Sequence, residues 1–324
     1  MTRFKRMRIL LLLSISIWYT FAQGQLPETI VTSRSLVVMD LPLEKDDGFL
    51  IRGDWQKQSE TIQENLALMG VDAIAYLHAG DWNASSTSRA TFKDFFEKRE
   101  VTHLMLFSKN EDGLFELSIK NFDTLSEQWK TSGGSLNQVL FRLGKEIKKR
   151  NLVVENFLSP PDPEIVTDVP ITSWTASTTF PGQIKRLTVG VAQFDNEEEN
   201  NRLREILEPY PYTFELFNYT DNEDAFRKGY QYVLLHMGTA GESIKKLLNY
   251  HTGTNETDYI STVVSDSTAT KIKTIPIDAF VYKFYFQHTV NHEAFVGRHW
   301  DADITWEAAL RNFVLNLRIA FREI

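Results

Sequence analysis

The chain contains no cysteine among its 324 residues. That absence excludes disulfides, thiolate metal sites, a cysteine nucleophile and lipid attachment at an N-terminal cysteine. No GxSxG, HExxH or GxGxxG pattern occurs, so three common catalytic and dinucleotide-binding signatures are missing. Positive charge is also scarce, with 35 Lys and Arg against 43 Asp and Glu, a formal net charge of −8. Without the four leading cations Arg3, Lys5, Arg6 and Arg8 the value is −12. Such a surface repels a phosphate backbone, and no basic stripe interleaved with aromatics compensates for it. Nucleic acid is not an expected partner. Beyond the first 22 residues no apolar run is long enough to span a bilayer.

Those first residues read as a signal peptide. A basic stretch (Arg3 to Arg8) precedes the apolar run Ile9 to Tyr19, and Thr20-Phe21-Ala22 stands before Gln23. Cleavage after Ala22 is expected, leaving an exported protein, periplasmic or secreted, with no integral membrane segment.

What the sequence does contain is a repeat. Arg34-Ser35-Leu36-Val37-Val38-Met39-Asp40 has a counterpart in Arg186-Leu187-Thr188-Val189-Gly190-Val191-Ala192. Thr102-His103-Leu104-Met105-Leu106-Phe107 has one in Gln231-Tyr232-Val233-Leu234-Leu235-His236. Each half closes with a tryptophan (Trp129, Trp300), a short polar loop and a long amphipathic helix. Periodicity predicts strands at 36–41, 73–78, 103–108 and 114–119, with helices at 58–69, 89–98 and 136–149. The second half repeats that order with strands at 187–194, 213–219, 232–237, 279–287 and 293–300, and helices at 196–207, 222–228 and 305–321. The expected class is α/β, two repeated lobes, each a mixed β-sheet packed with helices. The first lobe is read as 32–158 and the second as 184–324. A Pro/Ser/Thr-rich linker at 159–183 separates them, and an insertion at 238–273 distinguishes the second.

Candidate chemistry is thin. Gly238-Thr239-Ala240-Gly241-Glu242-Ser243 lies between an apolar strand and a helix, where backbone amides can cradle an anion. Gly238, Thr239, Gly241, Ser243, Lys245 and Lys246 are therefore the candidate anion- or nucleotide-binding residues. The stretch departs from the Walker pattern, since Glu242 stands where that motif has lysine. Trp55, Asp81 and Trp82 pair indoles with carboxylates in segments read as exposed loops, the composition of a partner-binding or sugar-stacking patch. Asp301 and Asp303 are read as carboxylates capping the last helix. His288, His292 and His299 near the terminal hairpin do not converge as a metal site requires, and neither metal nor cofactor is expected.

The stretch Tyr282-Lys283-Phe284-Tyr285-Phe286, followed by Gly297-Arg298-His299-Trp300-Asp301 and a closing helix, resembles the anticodon-binding-like lobe of the TolB N-terminal domain and of penicillin-binding-protein activator lipoproteins. Pro209-Tyr210-Pro211-Tyr212, Gly229-Tyr230-Gln231-Tyr232-Val233-Leu234, Ser243-Ile244-Lys245-Lys246-Leu247-Leu248-Asn249-Tyr250 and Trp300-Asp301-Ala302-Asp303 resemble a family of exported Bacteroidota proteins. Some of its members carry an NTPase label. The resemblance implies a cell-envelope role and supplies no catalytic residue. The expectation is an envelope binding or accessory protein, not an enzyme, that meets an envelope protein or a small ligand. The alternative is a nucleotide- or phosphate-handling hydrolase built on residues 238–246.

Overall fold

A computed structural model describes residues 24–155, 160–167, 169–172, 176–250, 259–265 and 270–322. The expected leader at 1–22 lies outside these residues, as do parts of the expected linker and insertion. In chain order the elements are β1 (Arg34–Asp40), β2 (Glu44–Asp46), β3 (Phe49–Ile51), α1 (Trp55–Leu68), β4 (Asp72–His78), α2 (Ala79–Trp82) and α3 (Ser86–Glu97). They continue with β5 (Val101–Lys109), β6 (Phe115–Asn121), β7 (Glu127–Gly133), α4 (Leu136–Lys149), β8 (Val189–Ala192), α5 (Glu197–Leu207) and β9 (Phe214–Phe217). The last are α6 (Asn222–Arg227), β10 (Tyr232–Ala240), α7 (Gly241–Leu247), β11 (Tyr259–Ser265), β12 (Thr270–Pro276), β13 (Phe280–His288), β14 (Ala294–Phe295) and α8 (Trp306–Ala320). None of the described helices is long and apolar enough to cross a membrane.

The chain forms two compact units. Among the described residues, one comprises those up to 42 together with 54–77 and 96–165, and the other 43–53, 78–95 and those from 166 onward. The second unit therefore includes two segments from within the span read as the first lobe.

Each unit is built on a five-stranded mixed sheet, and the strand orders correspond. The first is β4-β1-β5-β6-β7 and the second, read from the equivalent edge, is β9-β8-β10-β13-β14. In both, the central strand pairs in parallel with an earlier one (β5 with β1, β10 with β8) and antiparallel with the next (β6, β13). The inner strand β1 reads as a continuous apolar run because both its faces are covered, with Leu36, Val37, Val38 and Met39 all buried. On one face Val37, Met39, Met105, Phe107, Leu117 and Ile119 meet Ile62 and Leu66 of α1 and Leu140, Leu143 and Ile147 of α4. In the second unit Val189, Val191, Leu234, Phe284, Phe286 and Phe295 meet Leu203 of α5 and Leu310, Phe313 and Leu317 of α8. Phe180 locks this core edge to face, its ring centroid 5.9 Å from Phe286 and 5.5 Å from Phe313.

The closing helices are capped alike. Ser135 Oγ accepts from Gln138 N at 3.3 Å, and Thr305 Oγ1 accepts from Ala308 N at 3.3 Å. These are side-chain caps on first-turn amides, so Thr305→Ala should cost about 1 kcal/mol in chemical denaturation. An unchanged midpoint would show that the cap adds nothing.

Several elements differ from the sequence expectation. Residues 127–133 form strand β7, which the sequence leaves as polar loop. Its period-two pattern is real, with Trp129 and Thr131 inward, but its outward face is polar because it borders solvent. Residues 44–51, to which the sequence assigns no element, form a hairpin of β2 with β3. Within the expected insertion at 238–273, β11 pairs antiparallel with β12. The second strand of the terminal hairpin is only Ala294–Phe295, where Phe295 opposes Phe286.

Candidate functional site

The glycine-containing stretch of the second unit is not a loop. Gly238-Thr239-Ala240 completes β10, and α7 begins at Gly241 without a side-chain cap. The amides an anion would need are engaged, since Gly241 N donates to Ala279 O at 3.1 Å and Glu242 N to Ile277 O at 2.9 Å. Thr239 and Ser243 point inward, where they meet Arg52 just beyond β3 and Asp81 of α2. Arg52 Nη1 donates to Asp81 Oδ2 at 3.0 Å and to Ser243 Oγ at 3.1 Å. Its Nη2 donates to Asp81 Oδ1 and to Thr239 Oγ1. Thr239 Oγ1 in turn donates to Asp81 Oδ1 at 3.0 Å. All four side chains are buried. A bidentate pair with this many hydrogen bonds is geometrically specific, and it ties α2 to the end of β10.

Beside it, His78 Nδ1 accepts the Gly80 amide at 2.9 Å. Burial and the Arg52 guanidinium hold His78 down at about 4, only partly opposed by Asp81. Gly80 has no room for a side chain: a Cβ there would stand 2.9 Å from His78 Nδ1 and 3.0 Å from Thr239 Oγ1.

The cluster also positions the chain beyond α2. Ser88 Oγ donates to Asp81 O at 2.7 Å and Gly238 N donates to Ala84 O at 3.1 Å, so the first turn of α3 is held against the sheet. That turn walls a cleft of about 640 Å³ lined by Thr87 and Thr91 of α3, Tyr219, Asp221, Asn222, Glu223 and Phe226 around α6, and Val290 and His292 from the β13–β14 turn. Its polar groups are tied together from below. Tyr219 Oη donates to Asn222 Oδ1 at 3.0 Å, while Asn222 Nδ2 lies 2.7 Å from His292 Nδ1 and 3.3 Å from Gln287 Oε1. Burial pushes the Tyr219 hydroxyl up to about 12, so it is a neutral donor at neutral pH. His292 holds a left-handed φ of 58° that delivers its ring to Asn222. Phe226 and Val290 supply an apolar rim, 54% and 59% exposed. Among the described residues no lysine or arginine lines the cleft, while two carboxylates, Asp221 and Glu223, do.

The other residues singled out from sequence are dispersed. Lys245 is buried, its Nζ 5.1 Å from the Trp300 ring centroid and 5.9 Å from that of Tyr250, a cation–π seat. Lys246 pairs with Glu242 and donates to Thr167 Oγ1 at 3.3 Å. Ser243 and Lys246 also have the SxxK spacing of acyl-serine enzymes, yet the hydroxyl is engaged by Arg52 and the ammonium by Glu242. Trp55 and Trp82, read as exposed, are 4% and 6% exposed. Trp55 belongs to the core of the first unit, and Trp82 stacks on Phe92 in the second with centroids 6.3 Å apart. Asp301 and Asp303 do not cap α8, whose cap is Thr305. Asp301 instead forms a buried pair with Lys283.

Sequence reasoning missed Arg52, Tyr219 and Asn222. Only the polar Asp221-Asn222 start of a predicted helix hinted at the last, and its hydrogen-bond partners lie as many as 70 residues away. A scan against protein-family models finds no match, and a search of curated proteins finds none either.

Proposed function

We propose that this chain is a non-catalytic binding protein of the cell envelope whose ligand seat is the cleft between α3, α6 and the β13–β14 turn. The carrying observation is the network of Tyr219, Asn222 and His292, which holds the floor of the cleft in shape before any ligand arrives. Pre-organisation of this kind lowers the ordering cost of binding. The lining indicates the ligand class. Carboxylates without a lysine or arginine disfavour phosphate and favour a neutral or amine-bearing molecule, and Phe226 and Val290 favour one with an apolar body. The engaged amides at Gly241 and Glu242 support placing the ligand here and not at residues 238–246. The envelope assignment is supported by the basic and apolar composition of residues 1–22.

Thermal unfolding of the leaderless chain tests the reading, with phenethylamine, tyramine and MgATP as probes. A ligand at about a hundredfold excess over its Kd adds about 2.7 kcal/mol of stability. The amines should raise the midpoint, and Glu223→Gln and Phe226→Ser should abolish the rise. A rise with MgATP that survives both substitutions would return the hydrolase reading. Cell fractionation with N-terminal sequencing checks the envelope assignment, the expected first residue being Gln23.

A further inference from the structure

The first unit carries a second concave surface, unrelated to the cleft. The C-terminal end of α1 and the length of α4 leave between them a groove of about 1040 Å³. Large apolar side chains stand open along it: Leu68 is 88% exposed, Phe141 71% and Val154 45%. Soluble proteins rarely gather such side chains without a use for them. The floor is kept open by Gly144, which lies inside a helix where glycine costs about 0.5–1 kcal/mol relative to alanine. A Cβ at Gly144 would already stand 3.3 Å from Met69 Cε, so a larger side chain would fill the groove.

The charge at the rim identifies the occupant. Among the described residues Lys145 and Lys148 line the groove and no carboxylate does, in a chain whose net charge is −8. Neither lysine is in an ion pair among the described residues, whereas the adjacent Lys149 and Arg150 both pair with Glu146. A second copy of the chain would bring the same two lysines to the contact and be repelled. A flat bilayer would touch the protruding Leu68 and Phe141 and leave the floor empty. From Asn137 to Lys148 the wall is about 17 Å long at 1.5 Å per residue, the length of three helical turns.

We propose that this groove docks a short amphipathic helix of a partner protein, its apolar stripe seated on Leu68, Phe141 and the Gly144 floor and its Asp or Glu residues paired with Lys145 and Lys148. Helix-in-groove recognition places apolar anchors at i, i+3 or i+4, and i+7, with flanking charge setting orientation.

The test is selection of a displayed random peptide library of about 16 residues per member, long enough for four helical turns, on the full leaderless chain. Enriched peptides should share that apolar spacing with acidic flanks. Synthetic copies should bind with an affinity that falls as salt is raised, and Phe141→Ser and Gly144→Leu should each weaken it about tenfold or more. Phe141 is exposed, so its variant keeps the fold if Gly144→Leu does not. No enrichment, or peptides indifferent to both substitutions, would overturn the proposal. So would flotation of the chain with phosphatidylglycerol vesicles that Phe141→Ser abolishes while no peptide is enriched, which would make the surface a lipid contact.

Discussion

Replacing Lys283 by methionine should destabilise the protein by about 3–5 kcal/mol, the usual cost of leaving one member of a buried ion pair alone. Neither side chain of the Lys283–Asp301 pair has any exposure. Lys283 Nζ donates to Asp301 Oδ1 at 2.6 Å, to Phe284 O at 2.8 Å and to Val296 O at 2.9 Å, which uses all three ammonium hydrogens. Asp301 Oδ2 accepts from Asn316 Nδ2 at 3.1 Å, and its carbonyl accepts from Asn312 Nδ2 at 3.3 Å, so the pair anchors α8. Burial drives Lys283 down and Asp301 up, each held back by the other. Methionine keeps most of the volume and removes the charge, stranding the carboxylate. Lys283→Met combined with Asp301→Asn should recover much of the loss, because the amide still accepts from Asn316 and carries no charge to desolvate. Urea unfolding of the two single variants and the double variant measures the coupling. A Lys283→Met protein within about 1 kcal/mol of the parent would rule out a desolvated ion pair here. The deficit should shrink as the pH is lowered and Asp301 takes up a proton.

The second large effect is acid sensitivity. His78 and His236 are each held at about 4 in the folded chain, against an unfolded value of 6.5. The cause for His236 is burial between aromatic rings, with Phe194 and Phe284 at 4.7 and 5.4 Å. As pH falls through 6.5 the unfolded chain takes up protons that the folded chain refuses until about 4. The contribution of each group is therefore fully present above 6.5 and is lost progressively down to about 4. For His78 the shift corresponds to about 3 kcal/mol at about 1.4 kcal/mol per pH unit. Protonating it also puts a hydrogen on Nδ1, where the Gly80 amide already donates, and places a cation beside Arg52. Denaturant midpoints should fall steeply between pH 7 and 4 in the parent and less steeply in His78→Asn, whose amide oxygen can still accept from Gly80. His236→Phe should flatten the curve further. Parallel curves for all three proteins would show that these rings do not govern the acid limb.

Lys283 and Asp301 pair across 18 residues and Thr239 reaches Asp81 across 158, and that separates what was legible from what was not. The repeat was legible because its signals are local. The apolar runs at 34–40 and 101–109, the stripe of Ile62, Leu66 and Met69, and the polar punctuation before the closing helices all act within a turn or a strand. They yielded the α/β class and most of the sheet strands in both halves. Strand β7 escaped because a border strand with a solvated face looks like loop by composition.

The site residues were less legible, for a different physical reason. Thr239, Ser243 and Asp81 were singled out for their composition, and the fold does bring these three together. It does so around Arg52, whose bond to Ser243 crosses 191 residues, and it buries the group where sequence expected an exposed anion loop and an exposed aromatic patch. The sequence by itself determined the order of elements and their apolar faces, because helix and strand periodicities need only near neighbours. Tertiary structure alone decided that residues 43–53 and 78–95 belong to the second unit, and that Asp301 pairs with Lys283 and does not cap a helix. A buried polar group must find its partner wherever the chain brings one within about 3 Å, and no local pattern encodes that distance.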